Sequence, residues 1–314
     1  MGAVFKLAFN AVFPILVLMA IGYICKRAGF ISGDAVNKTN RIIFRVFMPP
    51  LIFYNLYEND FSKFMDIKLI IFIPASVIAV IVISFLIVPR IVKERKQQPV
   101  IIQALFRGNL IFVGMPVMEA VAGSKYLGLM ALAITITIIV YNIASVVVFE
   151  ALRKGRPDYK EMMRGIAVNP LIHGAVVGVI FTMLHIPVPG MVMDVVKSMS
   201  QVATPVALVL LGAGFSFAAT GVYKKQIALT CLFRLVLIPA LLVPLAILMG
   251  FNNYEIIVVF ATMCAPTAII TYTISQQMGG DDALGAQLVA YASAFSLLTI
   301  FLWIIVLQNY IPLL

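Results

Sequence analysis

The chain has 314 residues, of which 62% are hydrophobic and 11% charged, and its formal net charge is +10. A soluble domain carries about a quarter charged residues, so a water-soluble globule is excluded and the lipid bilayer is the expected environment. The basic residues lie in short stretches between apolar segments, which is a membrane-topology pattern, and no nucleic-acid partner is expected.

A helix needs about 20 apolar residues to cross about 30 Å of hydrocarbon. Ten segments qualify: Val4 to Cys25, Val36 to Leu56, Ile67 to Val88, Pro99 to Ala122, Leu127 to Leu152, Ala167 to Ile186, Val192 to Phe217, Ile227 to Met249, Glu255 to Gln277 and Ala283 to Leu307. The fold class expected is an all-α polytopic membrane protein with ten transmembrane helices. The first segment does not read as a cleaved signal, because Lys26 and Arg27 follow its apolar run. Cys25, Cys231 and Cys264 have neither disulfide nor zinc spacing and are expected to be packing residues.

Of the 23 lysines and arginines, 16 lie on the side reached after the odd-numbered segments, five on the opposite side, and Arg107 and Arg234 within segments. The positive side is expected to be cytoplasmic, which puts both termini outside a plasma membrane. The longest hydrophilic loop, Arg153 to Gly165, divides the chain into residues 1–152, the loop 153–165, and residues 166–314. Five helices per half force the halves into opposite orientations, so a repeat would be inverted and the fourth and ninth helices would be equivalent.

Those two segments are the interrupted ones. The fourth reads Arg107-Gly108-Asn109 and then Gly114-Met115-Pro116; the ninth reads Cys264-Ala265-Pro266-Thr267. Open backbone groups cost several kcal/mol in lipid, so broken helices persist only where protein or a water-filled cavity satisfies them. Paired interruptions in corresponding places point to a transporter's binding site. At ~1.5 Å per residue both lie ~15 Å from their segment starts, near the midplane.

Asn109 is the first candidate for substrate contact, since an amide both donates and accepts. Gly108, Gly114 and Ala265 belong to the same interruptions. Pro116 and Pro266 each remove a backbone donor, and half-helix N-termini attract anions. Thr267 adds a hydroxyl, and Phe112, Ile269 and Ile270 would shape the apolar part of the pocket. Arg234 could snorkel to the cytoplasm, pair with a carboxylate or attract an anionic substrate, in that order of preference, and Arg107 is expected to snorkel too. Glu119 is a candidate proton carrier, with a place at the outer water boundary preferred. Asp281 and Asp282 are expected to be solvated. His173 and His185 are too far apart in sequence to suggest a metal site. H-E-x-x-H, G-x-S-x-G and P-loop patterns are absent, so no enzyme chemistry, catalytic residue, metal or cofactor is expected. Coupling to protons or sodium stays open.

At these residues the chain resembles the auxin efflux carrier family, which includes the plant PIN carriers and many prokaryotic organic-anion permeases. Asn40-Arg41, Phe47 and Pro49 to Phe53 look like the family's second-helix signature, and Asn109 to Met118 its fourth-helix pattern. Ser200 through Gly214, Arg234 with Pro239-Ala240, and Ala265-Pro266 look like its seventh, eighth and ninth helices. The resemblance implies two inverted five-helix repeats in an elevator fold like that of NhaA and the bile-acid symporters. It implies a scaffold of helices 1, 2, 6 and 7, a transport domain of helices 3–5 and 8–10, and often a homodimer. It also implies a small organic anion bound where helices 4 and 9 cross, with Asn109 in contact. Gly108 stands where plant carriers have proline. Their large hydrophilic loop is missing, which argues for a short member in a prokaryotic inner membrane. Malate, malonate and an auxin-like acid are all candidate substrates. The alternatives are a cation-coupled antiporter or channel on the same bundle, or a membrane ligand sensor.

Overall fold

A computed structural model describes residues 2–58, 67–123, 126–153 and 167–311. Among these every regular element is a helix, and the one β-type pairing is an isolated antiparallel bridge between Gly108 and Thr267. Helix α1 spans Gly2–Arg27, α2 Gly33–Ile42 and α3 Met48–Tyr57. They are followed by α4 (Ile67–Ile91), α5 (Gln97–Phe106), α6 (Met115–Ala122) and α7 (Leu127–Arg153). The second half holds α8 (Pro170–Met183), α9 (Gly190–Gly214), α10 (Phe217–Leu232) and α11 (Ile238–Leu248). Last come α12 (Asn253–Cys264), α13 (Ile270–Gln277) and α14 (Asp282–Leu307).

Among the described residues, five helices are long and apolar enough to cross a membrane: Ile67–Ile91, Leu127–Leu152, Gly190–Gly214, Phe217–Leu248 and Asp282–Leu307. Shorter apolar helices lie between them. The eighth segment begins at Phe217, ten residues before the expected Ile227, because the polar turns around Lys224 and Lys225 are helical as well. Most of the loop 153–165 lies outside the described residues.

Helix starts follow from capping chemistry. Ser32 accepts from Ala35 N–H, Asn169 from Leu171 N–H and Asp281 from Leu284 N–H. Asn252 and Glu255 form a reciprocal capping box at α12. Among the described residues the π-turns Ile43–Phe47, Leu110–Gly114 and Phe233–Leu237 each run directly into a helix whose first turn holds proline: Pro49, Pro116 and Pro239. A proline ring strikes the carbonyl four residues back, and a wider turn relieves that contact.

Helices α3 and α8 pack along each other, as do α1 and α9. Small residues allow the close approach. A Cβ on Gly174 would come within 2.6 Å of the Pro49 carbonyl. One on Gly22 or Gly212 would collide with the Val209 or Met19 carbonyl. In lipid, such backbone proximity drives helix association. By contrast, α5 from Gln98 and α12 from Glu255 are buried at every position. The interrupted helices are thus surrounded by protein, as open backbone in a bilayer requires.

Candidate functional site

After α5 the chain is extended at Arg107 (φ −89°, ψ 98°) and still open at Asn109 (φ −83°, ψ 72°). It then enters the π-turn that leads to α6. After α12, Ala265 (φ −58°, ψ 132°) opens the second stretch, which ends at α13. The two open stretches satisfy each other. Asn109 N–H donates to Pro266 O at 2.7 Å, and Ala268 N–H to Arg107 O at 2.9 Å. Thr267 Oγ1 donates to Ala104 O at 3.0 Å and so caps the end of α5. Four half-helix ends therefore meet: the C-termini of α5 and α12, and the N-termini leading into α6 and α13.

Both buried arginines are held here, and neither snorkels. Arg234 is 1% exposed. Its Nε donates to Ala265 O at 2.8 Å, Nη1 to Leu105 O at 3.1 Å and Nη2 to Thr262 O at 3.4 Å. Arg107 is 3% exposed. It donates to Tyr141 O (3.1 Å), Ser145 Oγ (2.9 Å) and Asn142 Oδ1 (2.8 Å). For Arg234 the broken helices leave carbonyls free, and a guanidinium fork satisfied by them has no need to reach water; Arg107 is satisfied by one carbonyl and two polar side chains of α7. Among the described residues neither arginine forms an ion pair; the salt bridge found there joins Lys38 and Asp34. Gly108 lies against Arg234, and a Cβ there would collide with Nη2.

A cavity of about 300 Å³ opens beside the crossing. Of the expected site residues, Gly108, Asn109, Phe112, Ile269 and Ile270 line it. Gly114, Pro116, Ala265, Pro266 and Thr267 do not. Gly114 instead packs on α12, where a Cβ would meet Ala261 O at 3.1 Å and Met130 Cε at 2.8 Å. Pro116 sits in the first turn of α6, so Gly114-Met115-Pro116 widens the helix without opening it. Ala265, Pro266 and Thr267 give their polar groups to Arg234 and to the other open stretch.

Sequence reasoning missed the far wall: Tyr54 and Asn55 of α3, Tyr141 of α7, and Ser200, Gln201 and Thr204 of α9. The available signal was the polar cluster Ser200, Gln201 and Thr204 in an otherwise apolar stretch. The Asn109 side chain is 5% exposed, and its Nδ2 has no hydrogen-bond partner. An unpaired buried amide donor, beside the Arg107 charge and two helix N-termini, is chemically suited to a hydrogen-bond acceptor carrying negative charge.

Glu119 is exposed on α6 and does not line the cavity. Asp281 is not a solvated loop residue as expected. It accepts from Tyr223 Oη at 3.0 Å and Gln97 Nε2 at 3.2 Å, tying α5, α10 and α14 together.

Residues 7–304 match the profile of a family described as membrane transport protein. The chain is 25% identical over 318 residues to an uncharacterized transporter of Methanothermobacter thermautotrophicus, covering 97% of this chain and 100% of that one. It is likewise 25% identical over 312 residues to an uncharacterized transporter of Methanocaldococcus jannaschii, covering 96% and 99%.

Proposed function

The chain belongs to the membrane transport protein family of auxin efflux carriers, as a short prokaryotic-type member, and we propose that it is a secondary carrier for a small organic anion. The family is one of transporters rather than enzymes. The observation that carries the anion reading is the unpaired Asn109 Nδ2 in a cavity beside Arg107, an arginine without a carboxylate partner among the described residues. Asn109 and the free N–H groups leading into α6 and α13 would meet a carboxylate. Phe112, Ile269 and Ile270 would cover its apolar part. Malate, malonate and an auxin-like acid are all within this class, and a cavity of about 300 Å³ is of small-ligand size.

The proposed mechanism is an elevator of ten crossings in two inverted repeats. The scaffold would be helices 1, 2, 6 and 7 and the moving domain helices 3–5 and 8–10. The packing of α1 on α9 and of α3 on α8 supports this division, since these are the pairs 1·7 and 2·6, which exchange under the repeat operation. The cavity lies between α3 and α9 on one side and the crossing on the other, at the boundary such a motion would use. The end carrying Lys26, Lys93 and Lys96 would be cytoplasmic, in a plasma membrane.

Ligand-induced thermal stabilisation of the purified protein tests the binding reading. Mono- and dicarboxylates should raise the melting temperature of the wild type, their amides should not, and Asn109→Ala should lose the response. A folded Asn109→Ala variant with wild-type affinity would sink the assignment.

A further inference from the structure

We propose that Arg234 is a resident counter-cation of the crossing, standing where a coupling cation would bind, so that the anion is carried without sodium. The sodium-independence part rests on the carrier reading above.

The C-termini of α5 and α12 point at one another across the break. Each carries about half a negative charge on carbonyls that have no partner within the helix. Together they amount to about one buried negative charge, ringed by oxygens. Unwound carbonyls and half-helix C-termini of this kind coordinate sodium in broken-helix carriers. In this chain the same oxygens are taken. Arg234 reaches one carbonyl at the end of α5 (Leu105), one in the last turn of α12 (Thr262) and one just beyond it (Ala265). Thr267 Oγ1 occupies a fourth, Ala104 O. On its remaining side the guanidinium rests against Gly108, where a Cβ could be placed only by shifting Nη2. One positive charge thus meets about one negative charge.

A second monovalent cation about 4 Å from the guanidinium would be repelled enough to bind about a thousandfold more weakly. The positive helix ends point the other way, toward the cavity, where Arg107 adds its charge. The crossing is therefore electrically complete before substrate arrives, and each turnover would move only the charge of the anion.

The π-turn Phe233–Leu237 is what delivers Arg234 to this place. Pro239 in the next turn prevents a regular helix there.

The test compares purified wild type and Arg234→Ala in sodium, choline and low millimolar guanidinium chloride at equal ionic strength. Thermal unfolding is one readout and malonate flux into proteoliposomes the other. The wild type should melt at the same temperature in sodium and choline, and any flux should change less than about twofold between them. Arg234→Ala should melt lower and be restored by guanidinium but not by choline, a rescue that loss of packing alone does not give. A wild type stabilised by sodium over choline, or accelerated about tenfold by it, would overturn the proposal. So would an Arg234→Ala variant indifferent to guanidinium. If that variant does not fold, the wild-type cation comparison still decides. If no carboxylate binds or moves, the anion-carrier reading fails, while the sodium-dependent melting of the wild type still reports on Arg234.

Discussion

At the crossing, Asn109 is the proposed ligand contact and Gly108 provides space. The Asn109 amide is the unpaired donor facing the cavity. A hydrogen bond to a charged group contributes about 1.5–3 kcal/mol, so Asn109→Ala should weaken carboxylate binding about ten- to a hundredfold, measured by titration calorimetry. Asn109→Asp should bind worse still, because a second carboxylate would face the first. Gly108 has a different reason to be what it is. Alanine there would displace Arg234 from its carbonyls. Gly108→Ala should therefore destabilise the protein by about 1–3 kcal/mol, the usual cost of overpacking, seen as a lower melting temperature. Asn109 was legible in the sequence because a polar residue beside a helix break stands out. The fate of Arg107 and Arg234 was not. Arg234 finds carbonyls left open because α5 and α12 end there, and nothing near position 234 in the sequence announces those ends; Arg107 finds one carbonyl and two side chains of α7, more than thirty residues away in the chain.

The elements show the same division between what runs of residues announce and what contacts decide. Long apolar runs such as Ile67–Ile91 and Asp282–Leu307 could be read directly, since length and hydropathy alone define them. The interruption at Gly114-Met115-Pro116 was misjudged because a proline in a helix's first turn needs no break. A preceding π-turn absorbs its ring. The same device stands before Pro49 and Pro239. Pro239→Ala should lower the melting temperature even though alanine is the better helix former by about 3 kcal/mol, because a relaxed turn would swing Arg234 out of the crossing. The α1–α9 contact admits a sharper test. Gly212→Leu would force a side chain into the Met19 carbonyl, and the yield of folded protein should fall steeply by size-exclusion chromatography. An unaffected profile would contradict that packing.

At the scale of the whole molecule, the cavity and a polar cluster lie at opposite ends of the boundary between the proposed domains. The cavity runs from the crossing toward Tyr54, Asn55 and Phe112, away from the lysine- and arginine-rich end. At that basic end Asn40 Nδ2 donates to Gln276 Oε1, and Gln276 Nε2 donates to Asn37 Oδ1 at 2.8 Å and Asp282 Oδ2 at 3.2 Å. These bonds tie α2 to α13 and α14 beside a second cavity of about 220 Å³ lined by Val36, Asn37, Gln276 and Asp282; in the carrier proposed above they would hold the basic end together in one of its two states. In that carrier, Gln276→Ala should shift the population toward the state opened at the basic end. A cysteine placed at Val36, which is 4% exposed beside these bonds, should then react faster with a water-soluble maleimide in the purified protein, in a background without native cysteines. The measurement that bears most directly on the central claim is charge translocation by the purified protein in proteoliposomes, across mono- and dicarboxylates and indole acids, beside Asn109→Ala. A saturable, substrate-specific current that is lost in the variant is the predicted result. A current that grows without saturation, or one unchanged by Asn109→Ala, would contradict an anion carrier with its site at the crossing.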